Sequence, residues 1–110
     1  MSCPWRRAGR MARSAGERIG SADAERLYQA VGLVSDPSEA RAFLQDLLSP
    51  KEAEELARRL QVATMLRDGA SYLEVSHQTG ASSTTVSRVS KCLNGEAGGY
   101  RRVLARMDGE

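Results

Sequence analysis

Between Val75 and Gly95 the chain carries His77, Arg88 and Lys91 but neither Asp nor Glu, so this segment can approach a phosphate backbone without like-charge repulsion. That is the chemistry of binding rather than of bond making. His77 is the one histidine among 110 residues. No Ser/His/Asp set, paired carboxylates or phosphate-cradling glycine loop stands at a useful spacing, which leaves acid-base and nucleophilic mechanisms too few groups to work with. Cys3 and Cys92 are the two cysteines and form no Cys-x-x-Cys pair, so neither a zinc site nor a disulfide framework can be assembled within one chain. The residues read as those of a non-enzyme, without metal or cofactor.

The elements that position these cations are written in SYLEVSHQTGASSTTVSRVSKCL, residues 71 to 93. Two short helices crossing steeply need a small side chain at the crossing, which is Ser76. They also need a permissive residue in the turn, and Gly80, lacking a Cβ, lets the backbone enter the left-handed region. Val86, Val89 and Leu93 recur at helical spacing and give the second helix one apolar stripe. Its other side is polar, where Arg88 and Lys91 can contact phosphate or else make solvated surface ion pairs. Ser71, with Glu74 three residues on, is a capping box, and Ser82 or Ser83 can cap the second helix. The spacing predicts helices over 72–79 and 83–93, forming a helix-turn-helix.

Further signals place the rest of the chain. Ser21 as N-cap, with Asp23 and Glu25 near the positive end, predicts a helix through Val34 with Leu27, Val31 and Val34 on one side. Asp36, Pro37 and Glu39 open a second, carrying Ala40, Phe43, Leu44, Leu47 and Leu48 and ending near Leu48. Ser49, Pro50 and Glu52 open a third through Arg67. Its stripe of Ala53, Leu56, Leu60, Ala63 and Leu66, widened by Val62 and Met65, is expected to form the centre of the core. Tyr100, Val103, Leu104 and Met107 predict a short last helix after Gly98 and Gly99. The fold class is therefore all-α, about six helices in one domain over residues 21–110, with an aliphatic core because aromatic residues make up 5% of the chain.

Charge is uneven along the chain. Residues 1–20 hold five arginines against Glu17, leaving eleven basic and thirteen acidic residues in the remainder. The first twenty read as a basic, disordered tail that could add a nonspecific contact. No apolar run reaches the length of a membrane span or of a signal-peptide core, so the expected location is the cytoplasm, with no membrane partner.

Taken together, LLSPKEAEELARRLQVATMLRDG and the helix-turn-helix after it, with the Arg58-Arg59 pair and TGASSTTVSRV, resemble the Trp repressor superfamily, and within it the YerC/YecD branch. The resemblance covers most of residues 24–107. It implies a Trp-repressor-like bundle in an intertwined homodimer, each protomer presenting one recognition helix to a major groove of double-stranded DNA about one helical turn apart. By correspondence the groove-facing residues are Ser82, Ser83, Thr84 and Ser87, with Ser76 near the backbone. Hydroxyls discriminate bases weakly and suit shape or water-mediated reading. Arg59, Thr85 and Arg88 fall at positions that line the family's effector pocket, and Ser49 stands near where a threonine would be. Val89 stands where the repressor has glycine and Cys92 where it has serine, so an isopropyl group overlaps the space of the indole ring and disfavours L-tryptophan. Arg59 also reads simply as a helix partner of Glu55 or as one half of an interhelical salt bridge. The function expected is that of a DNA-binding transcriptional regulator, a repressor. Two other readings stay open: the same fold responding to tryptophan or another amino acid near Arg59 and Arg88, and a helical adaptor whose polar face meets a protein.

Overall fold

Caps set most of the helix boundaries in the computed structural model, which describes residues 20 to 109. The basic tail, with Cys3 and the five arginines before Gly20, lies outside the described residues. Among the described residues there are six helices and no strand: α1 (Ser21–Leu33), α2 (Pro37–Leu47), α3 (Pro50–Arg67), α4 (Tyr72–Thr79), α5 (Ser83–Leu93) and α6 (Gly99–Met107). None is long and apolar enough to cross a membrane.

The chain divides into two compact units, one ending at Phe43 and the other beginning at Leu44. In the first, α1 starts at Ser21 itself with Gly20 in the extended N-cap position, one residue earlier than a Ser21 cap would give. Asp36 Oδ1 accepts from the Glu39 N–H at 2.8 Å, and Glu39 Oε1 accepts from the Ser35 N–H at 2.9 Å. The reciprocal acid thus reaches one residue further back than a capping box requires. No side chain of α1 or α2 is buried.

In the second unit the full capping box forms at α3. Glu52 N–H donates to Ser49 Oγ at 3.2 Å, Ser49 N–H donates to Glu52 Oε1 at 2.8 Å, and Pro50 occupies the first turn. These hydrogen bonds hold the Glu52 carboxyl below its ordinary range. α3 packs against α4, α5 and α6, and α5 packs against α4 and α6. Val62, Ala63, Val75, Ala81, Val86, Val89 and Leu104 form the core. Full burial of Val62, Val75 and Val86 stabilises by roughly 1.5–3 kcal/mol each. The expected α3 stripe is buried only toward its carboxy end, since Leu56 stays 45% and Leu60 36% exposed. At the far end of the unit, Arg67 Nη1 pairs with Asp108 Oδ2 at 2.8 Å and ties α3 to the residue that ends α6.

Candidate nucleic-acid interface

α4 and α5 are held together by the hydrogen bonds of their caps and of the turn between them. Ser71 Oγ accepts from the Glu74 N–H at 3.1 Å and starts α4, so the hydroxyl half of the expected box forms. α4 ends on Gly80, whose φ of +77° is readily adopted only without a Cβ. Within the turn Ser76 Oγ donates to Ala81 O at 2.6 Å, Thr79 Oγ1 donates to Val75 O at 2.8 Å, and the Ala81 N–H donates to Thr79 Oγ1 at 3.1 Å. Ser82 then caps α5, its Oγ accepting from the Thr85 N–H at 3.1 Å and donating to Thr85 Oγ1. Val75, Ala81, Val86, Val89 and Leu93 are buried, and this fixes the polar side of α5 outward.

That polar side gathers most of the predicted residues. Ser83, Thr84, Ser87, Arg88 and Lys91 are exposed and line one open groove, with Tyr72 of α4 as its further wall. Ser76 and Ser82 are not part of it. Their hydroxyl protons are committed to the turn and the cap, so neither has a donor left for a phosphate or a base. Tyr72 is the residue that pattern reading missed: its hydroxyl donates to Ser90 Oγ at 2.5 Å across the crossing. The two residues lie eighteen apart, and the packing of α4 against α5 brings them together.

The electrostatics favour anions. Between Val75 and Met107 the single acid is Glu96, against Arg88, Lys91, Arg101, Arg102 and Arg106. Among the described residues the ion pairs are Arg58 with Glu55, Arg67 with Asp68 and Arg67 with Asp108. Arg88 and Lys91 belong to none of them.

A second depression, of about 150 Å³, lies behind the groove and is lined by Arg59, Thr84, Thr85, Arg88, Val89, Cys92 and Tyr100. Three of the four residues expected there, Arg59, Thr85 and Arg88, are brought together. Ser49 is not, since its hydroxyl caps α3. Glu55 pairs with Arg58 rather than Arg59, so Arg59 faces the depression without the helix partner that its spacing offered. Burial pushes the Tyr100 phenol up, Cys92 pushes the same way, and the Arg59 charge partly offsets both. The volume is well below the roughly 300–1,000 Å³ of typical ligand pockets, and the buried Val89 side chain forms part of its wall.

An all-α chain that projects a cationic, hydroxyl-bearing second helix from a helix-turn-helix falls in the class of helix-turn-helix regulators. The chain belongs to the Trp repressor family: the family's profile, that of Trp repressor protein, matches residues 22–108. Among its relatives, the uncharacterized protein YerC of Bacillus subtilis strain 168 is 35% identical over 91 residues, which make up 83% of this chain and 88% of YerC. The fold is similar to that of a TrpR-like protein from Eubacterium eligens ATCC 27750, with 39% identity, a TM-score of 0.70, and coverage of 80% of this chain and 91% of that one. It is also similar to that of a candidate Trp repressor from Staphylococcus aureus, with 32% identity, a TM-score of 0.72, and coverage of 89% of this chain and 98% of that one. The fold class is thus all-α and Trp-repressor-like, in a family of DNA-binding regulators.

Proposed function

We propose that the protein is a homodimeric transcriptional repressor that occupies operator DNA through α5 and excludes the transcription machinery. The observation that carries this reading is the outward face of α5. It offers three hydroxyl side chains, Ser83, Thr84 and Ser87, beside two cations that no carboxylate among the described residues neutralises. Arg88 and Lys91 contact phosphates and set the register. Ser83, Thr84 and Ser87 meet base edges directly or through water, giving modest base discrimination on which DNA shape is superimposed. Tyr72 closes the groove on the α4 side.

The homodimer is supported by apolar side chains that the described residues leave exposed. In α1, Leu27, Tyr28, Val31 and Leu33 are exposed, and in α3, Leu56 and Leu60. Two copies would bury such surface and present two recognition helices to one face of a duplex. The reading is tested by fluorescence anisotropy of the purified protein with a labelled random-sequence duplex from 50 to 300 mM salt. Affinity is expected to fall linearly on a log–log plot with a slope of several units. A protein showing no salt-sensitive binding is instead an adaptor whose polar face meets protein.

One observation favours a second reading within the same fold. Arg59, Arg88 and the Thr85 hydroxyl converge on the small depression, a donor set suited to a carboxylate. A small anionic effector would bind there, with Val89 excluding an indole ring. Thermal-shift titration with amino acids and short carboxylates decides it. A ligand at a hundredfold excess over its Kd stabilises by about 2.7 kcal/mol, and a flat profile for every compound removes this reading.

A further inference from the structure

Both helices of the motif end on a guanidinium group supplied from outside it. The last four carbonyls of a helix have no partner within it and must find one elsewhere. In α4, Ser76 O accepts from the Gly80 N–H, and the final carbonyl, Thr79 O, accepts from Arg58 Nε of α3 at 3.2 Å. In α5, Ser90 O accepts from both the N–H and the side-chain amide of Asn94, and Cys92 O accepts from the Gly95 N–H. Its final carbonyl, Leu93 O, accepts from Arg101 Nη1, and Arg101 Nη2 donates to Gly95 O at 2.9 Å.

One planar fork from α6 therefore spans the end of α5 and the loop beyond it. A lysine ammonium offers no such fork. The loop is shaped around it: Arg102 Nη2 donates to Ala97 O at 2.7 Å. Gly98 sits at φ +68°, where an added Cβ would lie 2.9 Å from Arg102 Nη1 and 3.0 Å from Arg101 Nη2. Cationic groups at a helix carboxy end are also favoured by the helix dipole.

We infer that Arg101 is a positioning residue for DNA reading, with Arg58 of α3 as the counterpart that caps α4. Arg101 fixes the carboxy end of α5 and hence the tilt at which Ser83, Thr84 and Ser87 are presented, without itself touching DNA. This rests on α5 being the helix that contacts DNA. A helix of eleven residues is about 16 Å long, so freeing one end swings the hydroxyls at the other. Base-edge contacts depend on that geometry, whereas phosphate contacts through long side chains tolerate it.

The test compares full-length wild type with Arg101→Lys and Arg101→Gln, at a temperature where circular dichroism finds all three folded. Affinity is measured for an operator duplex enriched by selection and for a random duplex. Both variants should lose about tenfold or more in the ratio of the two affinities, the weight of one charge-assisted hydrogen bond, while the salt slope on random DNA stays unchanged. Amide exchange of Asn94 and Gly95 should speed up in both variants while that of α4 does not. A slope reduced by about one in Arg101→Gln, with both affinities falling equally, makes Arg101 a phosphate contact and overturns the inference. A lowered melting temperature with an unchanged ratio overturns it too, as a merely structural role. If wild type binds no duplex at all, it is the reading of α5 that fails, and the positioning role falls with it.

Discussion

Arg88 and the hydroxyls beside it have separable jobs, and substitutions should separate them. Arg88→Ala removes one cation from the phosphate face. Its affinity for every duplex should drop together, and the salt slope should fall by about 0.9, measured by gel shift at four salt concentrations. An unchanged slope would reassign Arg88 to the small depression that it also lines. Thr84→Ala or Ser87→Ala should leave the slope intact and alter which sequences are preferred. These residues were legible because their spacing opposes them to Val86, Val89 and Leu93, which are buried. Ser82, expected in the groove, and Ser76, expected near the backbone, show a limit of a related kind: residue type gives a hydroxyl, but only the folded turn decides whether its proton is free. Tyr72 went unseen because its partner, Ser90, is distant in sequence.

At the scale of elements, caps carry much of the positional information, and two of them give direct tests. The folded Glu52 carboxyl titrates below its ordinary value of 4.5, so on acidification the unfolded chain takes up the proton first. The stabilisation from this cap is therefore whole above about pH 4.5 and is lost as pH falls through the lower folded value. Glu52→Gln should remove that portion of the pH dependence, seen as urea unfolding curves that move together less between pH 6 and 3 than those of wild type. Gly80→Ala meets no neighbouring atom within 4 Å, so its effect is backbone strain alone, about 1–2 kcal/mol of destabilisation at φ > 0. Chemical denaturation measures it, and a neutral result would contradict the turn described above. The bounds of α4 and α5 agree with the pattern reading residue for residue because Ser71, Gly80 and Ser82 mark them chemically. The guanidinium caps from Arg58 and Arg101 could not be read in the same way. They join residues of different helices, and neither hydropathy periodicity nor cap motifs encode such a pair.

For the whole molecule, the main departure from the sequence reading is where the core lies. Periodicity assigns apolar faces to α1, α2 and the amino half of α3, but it cannot say whether the same chain or another copy covers them. Among the described residues burial is confined to those from Val62 onward, while Leu27, Val31, Leu44 and Leu56 remain exposed. The homodimer reading predicts that Leu56→Glu, a charge placed on the exposed amino half of α3, lowers the dimer fraction in sedimentation velocity at micromolar concentration. Equal sedimentation of variant and wild type would put the contact elsewhere. Whether the polar face of α5 reads operator DNA from a two-fold symmetric protein is decided by selection from a random duplex pool followed by sequencing. An inverted repeat with half-sites about one helical turn apart should be enriched. A pool that emerges without any enriched sequence would contradict it.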